Sequence, residues 1–148
     1  MQSSVARASE GDFPRLAELF SAYRSFFSKI DDVVEAERFL RERMAADESV
    51  IFVARQADVP VGFIQLYPLW SSWYCKRIWF LSDLYVDEAW RGRGIGAHLV
   101  DAVKDFAMQT GASSAMVELP KSEPHLEKFY AGLGFARDEV FDLARYYP

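Results

Sequence analysis

Hydrophobic residues recur at two different spacings along the chain, and the two spacings predict helices and strands in different places. After a short first strand at residues 5–8, apolar positions repeat every three or four residues over 16–27 and again over 33–44. This spacing predicts two amphipathic helices. Asp12 and Asp32 stand just before the two runs, and we expect each to cap its helix.

The middle of the chain is richer in β-branched and aromatic residues. Runs at 50–55, 61–69 and 77–86, separated by turn-forming segments, predict a three-stranded antiparallel meander. A helix at about 94–110, a strand at 114–119 and a helix from Pro124 to Leu133, stopped by Gly134, follow in the pattern. Residues 135–140 and 141–147 are expected to form two closing strands. The predicted class is therefore α/β with a mixed sheet.

Size and composition predict one compact domain over residues 1–148. The chain has 148 residues, of which 51% are hydrophobic and 16% aromatic, enough to build a core. A net charge of -5 argues against a nucleic-acid partner, because phosphate backbones are bound by clustered Lys and Arg. No apolar run approaches the roughly 20 residues of a membrane span, and the start lacks the features of a signal peptide. We therefore expect no membrane partner and a cytoplasmic protein.

Metal and cysteine chemistry find little support in the sequence. Cys75 is the one cysteine, and His98 and His125 are far apart along the chain. No metal site is predicted, and Cys75 is expected to be a small buried side chain rather than a nucleophile. The two histidines have polar neighbours and are expected at the surface.

A glycine-rich segment lies between the third meander strand and the following helix. It reads Arg91-Gly92-Arg93-Gly94-Ile95-Gly96. At a helix start several amides lack helical acceptors, and glycine allows a phosphate to approach the main chain, so the segment predicts an anion site. Gly92, Gly94 and Ala97, with Glu118 about 20 residues on, also fit a dinucleotide fingerprint. That alternative is disfavoured because residues 87–91 separate the segment from the strand and only about 50 residues follow Ala97.

The segment also resembles the cofactor motif of the GNAT superfamily of N-acetyltransferases. Arg91, Gly94 and Gly96 match that motif, and residues 81–87 resemble the central strand of the family. Phe129-Tyr130 followed by Gly134-Phe135 resembles its C-terminal signature. The resemblance covers nearly the whole chain. It implies a mixed, mostly antiparallel sheet of six to seven strands flanked by four helices, in which a parallel strand pair splays apart to form the cleft for coenzyme A.

The resemblance implies acetyl-CoA as cosubstrate, with no metal. It places pantetheine along the central strand, the pyrophosphate on the glycine segment, and the thioester carbonyl near the backbone N–H of Val86. Glu123 stands where many relatives have an asparagine that orients the pantetheine. The implied cofactor-binding residues are Leu84, Tyr85, Val86, Arg91, Gly92, Arg93, Gly94, Ile95, Gly96, Ala97, Glu123, Phe129 and Tyr130.

Acyl transfer to an amine requires a proton acceptor for the amine and a proton donor for the leaving thiolate. The resemblance gives the donor role to Tyr130. Ser82 stands where polyamine-type relatives carry a glutamate, so the acceptor is open between Asp83 and Glu118, each of which could instead pair with an arginine. Strict strand alternation would place Ser82 and Asp83 on opposite faces of the sheet.

The acceptor itself is predicted only as a class. Tyr67, Trp70, Trp73, Tyr74 and Trp79 surround the turn between the second and third meander strands, and they suit an amine cation, a core edge or a homodimer contact equally well. No peptide-binding motif is present, which favours a small-molecule primary amine. The alternatives are a protein or peptide amine acetyltransferase and a non-catalytic acyl-CoA-binding module.

Overall fold

The computed structural model describes residues 3–148, which form two compact units, residues 3–118 and Leu119–Pro148. The strands of the first unit are β1 Ser4–Arg7, β2 Val50–Gln56, β3 Val59–Ser71, β4 Lys76–Val86 and β5 Ser114–Val117. Its helices are α1 Arg15–Ser28, α2 Val33–Ala45 and α3 Ile95–Gln109, with 3-10 turns at Glu10–Asp12 and Glu88–Trp90. The second unit contains α4, Pro124–Ala131. The prediction of one domain over residues 1–148 stays a prediction.

The five strands form one mixed sheet whose spatial order follows the chain, β1-β2-β3-β4-β5. Strands β1 to β4 are antiparallel to their neighbours, which confirms the predicted meander, and β5 runs parallel to β4. The parallel connection is made by α3, as the crossover between parallel strands requires. The predicted α/β class with a mixed sheet and four helices is therefore confirmed.

The helices of the first unit cover opposite faces of the sheet. The core on one face joins α1 and α2 to the strands through Leu16, Leu19, Phe20, Leu40, Ile51, Val53 and Phe63. The side chains at the alternate strand positions face α3. There the ring centroid of Phe106 lies 5.6 Å from that of Phe52 and 4.9 Å from that of Trp79. Regular alternation over residues 50–54 of β2 and 62–66 of β3 supplies both cores, because successive side chains point to opposite faces.

One predicted helix cap is present and the other is not. The Asp32 side chain accepts from Glu35 N at 3.0 Å and caps α2, as predicted. Asp12 does not cap α1, whose N-cap is Pro14. Its carboxylate instead accepts from Ser9 N at 2.7 Å and from the Arg55 guanidinium at 2.6 and 2.8 Å. Asp12 therefore joins the loop before α1 to β2.

The prediction of six to seven strands is wrong, since residues 3–148 contain five. Neither 135–140 nor 141–147 forms a strand, and residues 136–148 are exposed. Asp138 Oδ1 accepts from Val140 N at 2.7 Å and from Phe141 N at 2.9 Å. This side-chain turn takes the amides that a strand would use in pairing.

We expect Arg55→Met to destabilise the first unit strongly at neutral pH. Asp12 is only 3% exposed. Burial raises its pKa, but the hydrogen bonds from Arg55 and Ser9 outweigh burial and hold the pKa below its usual value. Removing one partner of a buried pair costs about 3 kcal/mol. Urea unfolding at pH 7 measures the loss, and an unchanged free energy of unfolding would contradict the role of the pair.

The loss should shrink as the pH falls. In the wild type the pair stabilises the fold above the ordinary pKa of an aspartate, and this contribution disappears as the pH falls through the lowered pKa of Asp12. In the variant only the hydrogen bonds from Ser9 oppose the effect of burial, so the pKa of Asp12 is higher than in the wild type and protonation relieves the unpaired charge at a higher pH. Arg137→Met, at an exposed pair with Glu127, is the control and should leave stability unchanged.

Candidate active site

Strand β4 pairs with β5 over only part of its length. The parallel pairing runs from Ile78–Ser114 to Leu81–Val117, and β4 then continues to Val86 beside β3 alone. Within residues 3–118 no strand pairs with the other edge of Leu84–Val86. The parallel pair thus separates beyond Leu81, where the family resemblance implied a cleft.

Backbone geometry determines which residues of this free edge can bind a ligand. Asp87 N donates to Val61 O on β3 at 2.8 Å, and polar backbone groups alternate between the two sides of an antiparallel strand. Leu84 and Val86 therefore direct their N–H and C=O groups to the free edge, whereas those of Tyr85 face β3. Val86 O accepts from Arg91 Nε at 2.9 Å, so the available groups are the amides of both residues and the carbonyl of Leu84.

The predicted anion segment forms the turn into α3. Gly92 and Gly94 have φ angles of 76° and 81°, which favour glycine, and Gly94 is the N-cap of α3. His98 N makes the first helical hydrogen bond, to Gly94 O at 3.1 Å. The amides of Ile95, Gly96 and Ala97 lie before this first helical donor, so they have no acceptor within the helix and remain available to a ligand.

The surroundings of this turn fit a pyrophosphate. Residues 91–94 are exposed, and a Cβ placed on Gly92 or Gly94 would meet nothing within 4 Å, so the approach to the main chain is open. Two guanidinium groups lie on neighbouring rings, Arg91 at 5.2 Å from Tyr85 and Arg93 at 4.6 Å from Trp90. Backbone donors, the helix dipole and two cations are the groups that bind phosphate oxygens.

A β-bulge in β4 changes the face on which Asp83 lies. Asp83 pairs with Gln65 and Leu81 pairs with Leu66, so Ser82 has no partner on β3. Gln65 and Leu66 are consecutive and face opposite ways, and their partners do the same. Strict alternation would place Ser82 on the face covered by α1 and α2 and Asp83 on the opposite face, and this expectation is wrong. Because of the bulge, Asp83 lies on the face that α1 and α2 cover.

Asp83 lies in a polar cluster on this helix-covered face. Gln65 Nε2 donates to Asp83 Oδ2 at 2.8 Å, and the Tyr23 hydroxyl, from α1, donates to Ser82 O at 3.2 Å. Burial raises the pKa of Asp83, and hydrogen bonds from Gln65, Tyr23 and Ser82 offset part of that increase. Burial, and to a smaller extent the negative charge of Asp83, also raises the pKa of Tyr67 to about 12. The result is a carboxylate with more than ordinary affinity for a proton.

Gln65 and Tyr23 were not among the predicted site residues. Gln65 is the one polar side chain in the otherwise apolar run of residues 61–66, and that interruption was the available signal. Tyr23 fits the apolar spacing of α1, so its sequence position predicts only packing. Its ring does pack, 6.1 Å from that of Phe63, while its hydroxyl reaches β4.

Glu118 and the predicted aromatic cluster lie elsewhere. Glu118 follows β5 at the level of Ser82, with an exposed side chain, whereas Asp83 is partly buried. The aromatic residues at the β3–β4 turn separate into three environments. Trp70, Trp73 and Tyr74 are exposed, Tyr67 is half-buried beside Asp83, and Trp79 is buried on the α3 face. Cys75 is exposed, so the expectation that it is buried is wrong.

Tyr130 is the buried centre of the second unit. It is 5% exposed, with ring centroids 5.0 Å from Phe129 and 5.5 Å from Phe135. Burial raises the pKa of its hydroxyl to about 12, so the hydroxyl keeps its proton at neutral pH. The turn at Gly134, with a φ of 94°, lets Phe135 N donate to Tyr130 O at 3.0 Å.

Glu123 is the N-cap residue of α4, but its side chain makes no capping hydrogen bond. Its Oε2 instead lies 3.5 Å from Nδ1 of His125, and Pro124 occupies the first turn as expected. His98 and His125 are both exposed, as predicted. Among residues 3–148 no group of three or more His, Cys, Asp or Glu side chains could hold a metal ion. No helix in the same range is both long and apolar enough to cross a membrane.

Comparison with known proteins identifies the family. Residues 14–135 match the acetyltransferase (GNAT) family. An uncharacterized N-acetyltransferase of Bacillus subtilis, YhfO, is 36% identical over 138 residues, which cover 93% of each chain. The crystal structure of a "probable acetyltransferase" has a TM-score of 0.93 and 32% identity, covering 98% of this chain and 97% of that one.

A relative with a named acceptor is more distant. A thialysine N-epsilon-acetyltransferase of Sus scrofa is 26% identical over 144 residues, covering 90% of this chain and 84% of the relative. The family match, the relatives and the parallel strand pair that separates beside a glycine-rich helix start agree with one another. The chain belongs to the GNAT family of acetyltransferases and is an acyl-CoA-dependent N-acetyltransferase.

Proposed function

We propose that this protein transfers an acetyl group from acetyl-CoA to a primary amine of a small molecule. The observation that carries the proposal is the free edge of Leu84–Val86, followed through the 3-10 turn Glu88–Trp90 by the exposed glycine turn and the first amides of α3. An extended pantetheine can pair with the edge while its pyrophosphate meets the turn. Acetyl-CoA supplies the activated acetyl group, and the protein supplies the donors that hold it.

Binding is divided between backbone and side chains. The N–H and C=O groups of Leu84 pair with the pantetheine, and the Val86 N–H polarises the thioester carbonyl. The amides of residues 92–97 hold the pyrophosphate, and Arg91 and Arg93 add charge. Tyr85, Glu123, Phe129 and Tyr130 complete the proposed cofactor contacts, as the family resemblance implies.

Asp83 is the proposed proton acceptor. A lysine-like amine has a pKa of about 10.4 and is mostly protonated at neutral pH. A carboxylate with a raised pKa removes that proton more effectively than an ordinary one, and Asp83 lies on the face where the family glutamate was expected. Glu118 is the alternative acceptor, at the level of Ser82 on the neighbouring strand.

The proposed transfer is direct and its protons balance. The neutral amine attacks the thioester carbonyl, a C–N bond forms and the C–S bond breaks. Asp83, directly or through water, takes the proton that converts the ammonium to a neutral amine and, after releasing it to solvent, the second proton that the nitrogen loses as the amide forms. The leaving thiolate takes a proton from the Tyr130 hydroxyl, and the proton on Asp83 then returns through solvent to the Tyr130 phenolate, so both groups are restored. Burial raises the pKa of Tyr130 to about 12, so its hydroxyl still carries a proton when the thiolate forms.

Two features support a small amine as acceptor. The Sus scrofa relative is named for thialysine, an amine-bearing amino acid, and the net charge of -5 suits a cationic substrate. Peptide amine acetylation and acyl-CoA binding without turnover are the alternatives. We further propose a cytoplasmic location and a homodimer, for which the exposed aromatic residues Trp70, Trp73 and Tyr74 offer a surface.

Release of free thiol from acetyl-CoA tests the function against a panel of amines. The panel consists of thialysine, a diamine, an aminoglycoside and a lysine-containing peptide. We expect a small amine to give the largest kcat/KM. A preference for the peptide would favour the protein-directed alternative. Acetyl-CoA binding without thiol release for any acceptor would favour the non-catalytic module.

Gly94→Val should weaken acetyl-CoA binding at least tenfold, because the side chain would occupy the approach of the phosphates and strain a turn with positive φ. Gly111→Val is the matched control. Gly111 follows the other end of α3, has a φ of 67° and is equally uncrowded, so its substitution introduces similar strain away from the site. Calorimetric titration measures both affinities. Equal affinities for the two variants would overturn the placement of the pyrophosphate.

Asp83→Asn should lower kcat/KM for the amine by about 100-fold or more, the usual contribution of a positioned base. It should also remove the fall in kcat/KM on the acid side of the pH profile. Acetyl-CoA affinity should be retained. Asp105→Asn, at an exposed position of α3, serves as the control. If Glu118→Gln rather than Asp83→Asn removes the acid limb, Glu118 is the base.

A further inference from the structure

We propose that Gln65 is a positioning residue for amine acetylation, which holds the Asp83 carboxylate in a fixed orientation and stabilises its ionised form. This inference rests on the proposed role of Asp83 as proton acceptor. Gln65 and Asp83 are directly opposite each other on β3 and β4, next to the bulge. The amide reaches the carboxylate from its own cross-strand position, through Nε2 and Oδ2 at 2.8 Å.

Burial of Gln65 is costly and has no explanation in packing. The side chain is 0% exposed on a face whose neighbouring core residues, Ile51 and Phe63, are apolar. Its Oε1 is buried without a hydrogen-bond partner among residues 3–148, a property shared in that range only with Ser49 Oγ. An unsatisfied buried acceptor loses its hydrogen bonds to water and gains none in the fold, which is destabilising. A leucine or methionine at this position would avoid this cost. We therefore attribute the amide to the hydrogen bond that its Nε2 donates to Asp83.

The bond from Gln65 leaves part of the carboxylate available for chemistry. Gln65 engages Oδ2 and is not hydrogen-bonded to Oδ1. Asp83 is partly exposed, although most of its surroundings are protein. A neutral donor fixes the plane of the carboxylate and leaves its negative charge in place, whereas an arginine would neutralise that charge. Asp83 therefore keeps the ability to accept a proton from the acceptor amine.

The other groups around Asp83 are also neutral. Tyr23 on α1 and Ser82 on β4 donate hydrogen bonds, and Tyr67 on β3 lies close enough to interact with its charge. On α2, the positive charge of Arg43 lowers the pKa of Tyr67. Among these groups Gln65 makes the largest contribution to lowering the pKa of Asp83, against the increase caused by burial. Removing the amide should therefore raise that pKa further.

Gln65→Met tests the inference, because methionine has nearly the volume of glutamine but no donor. Asp83 must be ionised to act as base, so kcat/KM falls below its pKa. We expect the acid limb of the kcat/KM profile to move to higher pH by about one unit, the equivalent of one lost hydrogen bond. An NMR titration of the Asp83 carboxyl carbon should show the same shift without turnover.

Gln65→Glu gives a second, opposite substitution. It places a carboxyl group beside Asp83, and because two adjacent carboxylates resist joint ionisation, the acid limb should move further than in Gln65→Met. Ile51→Val is the control. Ile51 is the cross-strand neighbour of Gln65 on β2, and its truncation reduces packing without touching a polar contact, so the limb should stay in place.

The outcomes separate this inference from the proposed function. If Asp83→Asn removes the acid limb but neither Gln65 variant moves it or the carboxyl titration, Gln65 has no positioning role. If Asp83→Asn leaves the limb intact, the proposed base is wrong, and the NMR titration still decides whether Gln65 holds the carboxylate. A shift of the limb in Ile51→Val as large as that in Gln65→Met would reduce the effect to packing and overturn the inference.

Discussion

One extra residue in β4 determines how the sheet and the site fit together. With Ser82 unpaired, Leu81 points into the core beneath α3 while Asp83 points toward α1 and α2. Uninterrupted pairing would send Asp83 to the same side as Leu81, against apolar residues. The bulge also lies at the level where pairing with β5 ends. A single local irregularity thus accompanies both the opening of the strand pair and the placement of a carboxylate.

The sequence predicts well those elements that depend on local chemistry. The meander strands, α2 with its Asp32 cap and the turn into α3 follow from periodicity and from the positions of Asp and Gly. The bulge was not predictable, because nothing near Ser82 distinguishes it from an ordinary strand residue. Asp12 was misassigned because its partner, Arg55, lies 43 positions away. Such pairings are created by the fold and are absent from the local pattern.

The two closing strands that the sequence predicts at residues 135–140 and 141–147 are absent from the structure for a related reason. Residues 135–147 have a composition typical of strands, but a strand also requires a neighbouring edge with matching donors and acceptors. The Asp138 side chain accepts hydrogen bonds from two of these amides, which are then not available for strand pairing. A hydrophobicity pattern contains no information about such hydrogen bonds. The candidate site shows the same division. Its glycine segment was evident from the sequence, whereas the contact between Gln65 and Asp83 depends on strand register.

The one-sided pairing of β4 near its end has a consequence for backbone protection. Tyr85 and Asp87 donate toward β3, whereas the amides of Leu84 and Val86 face the free edge. Neighbouring amides of one strand therefore differ in how readily they exchange with deuterated solvent. The exchange rates of Tyr85 and Asp87 serve as an internal reference. A ligand that pairs with β4 as an additional strand should slow exchange at Leu84 and Val86 and leave those two rates unchanged.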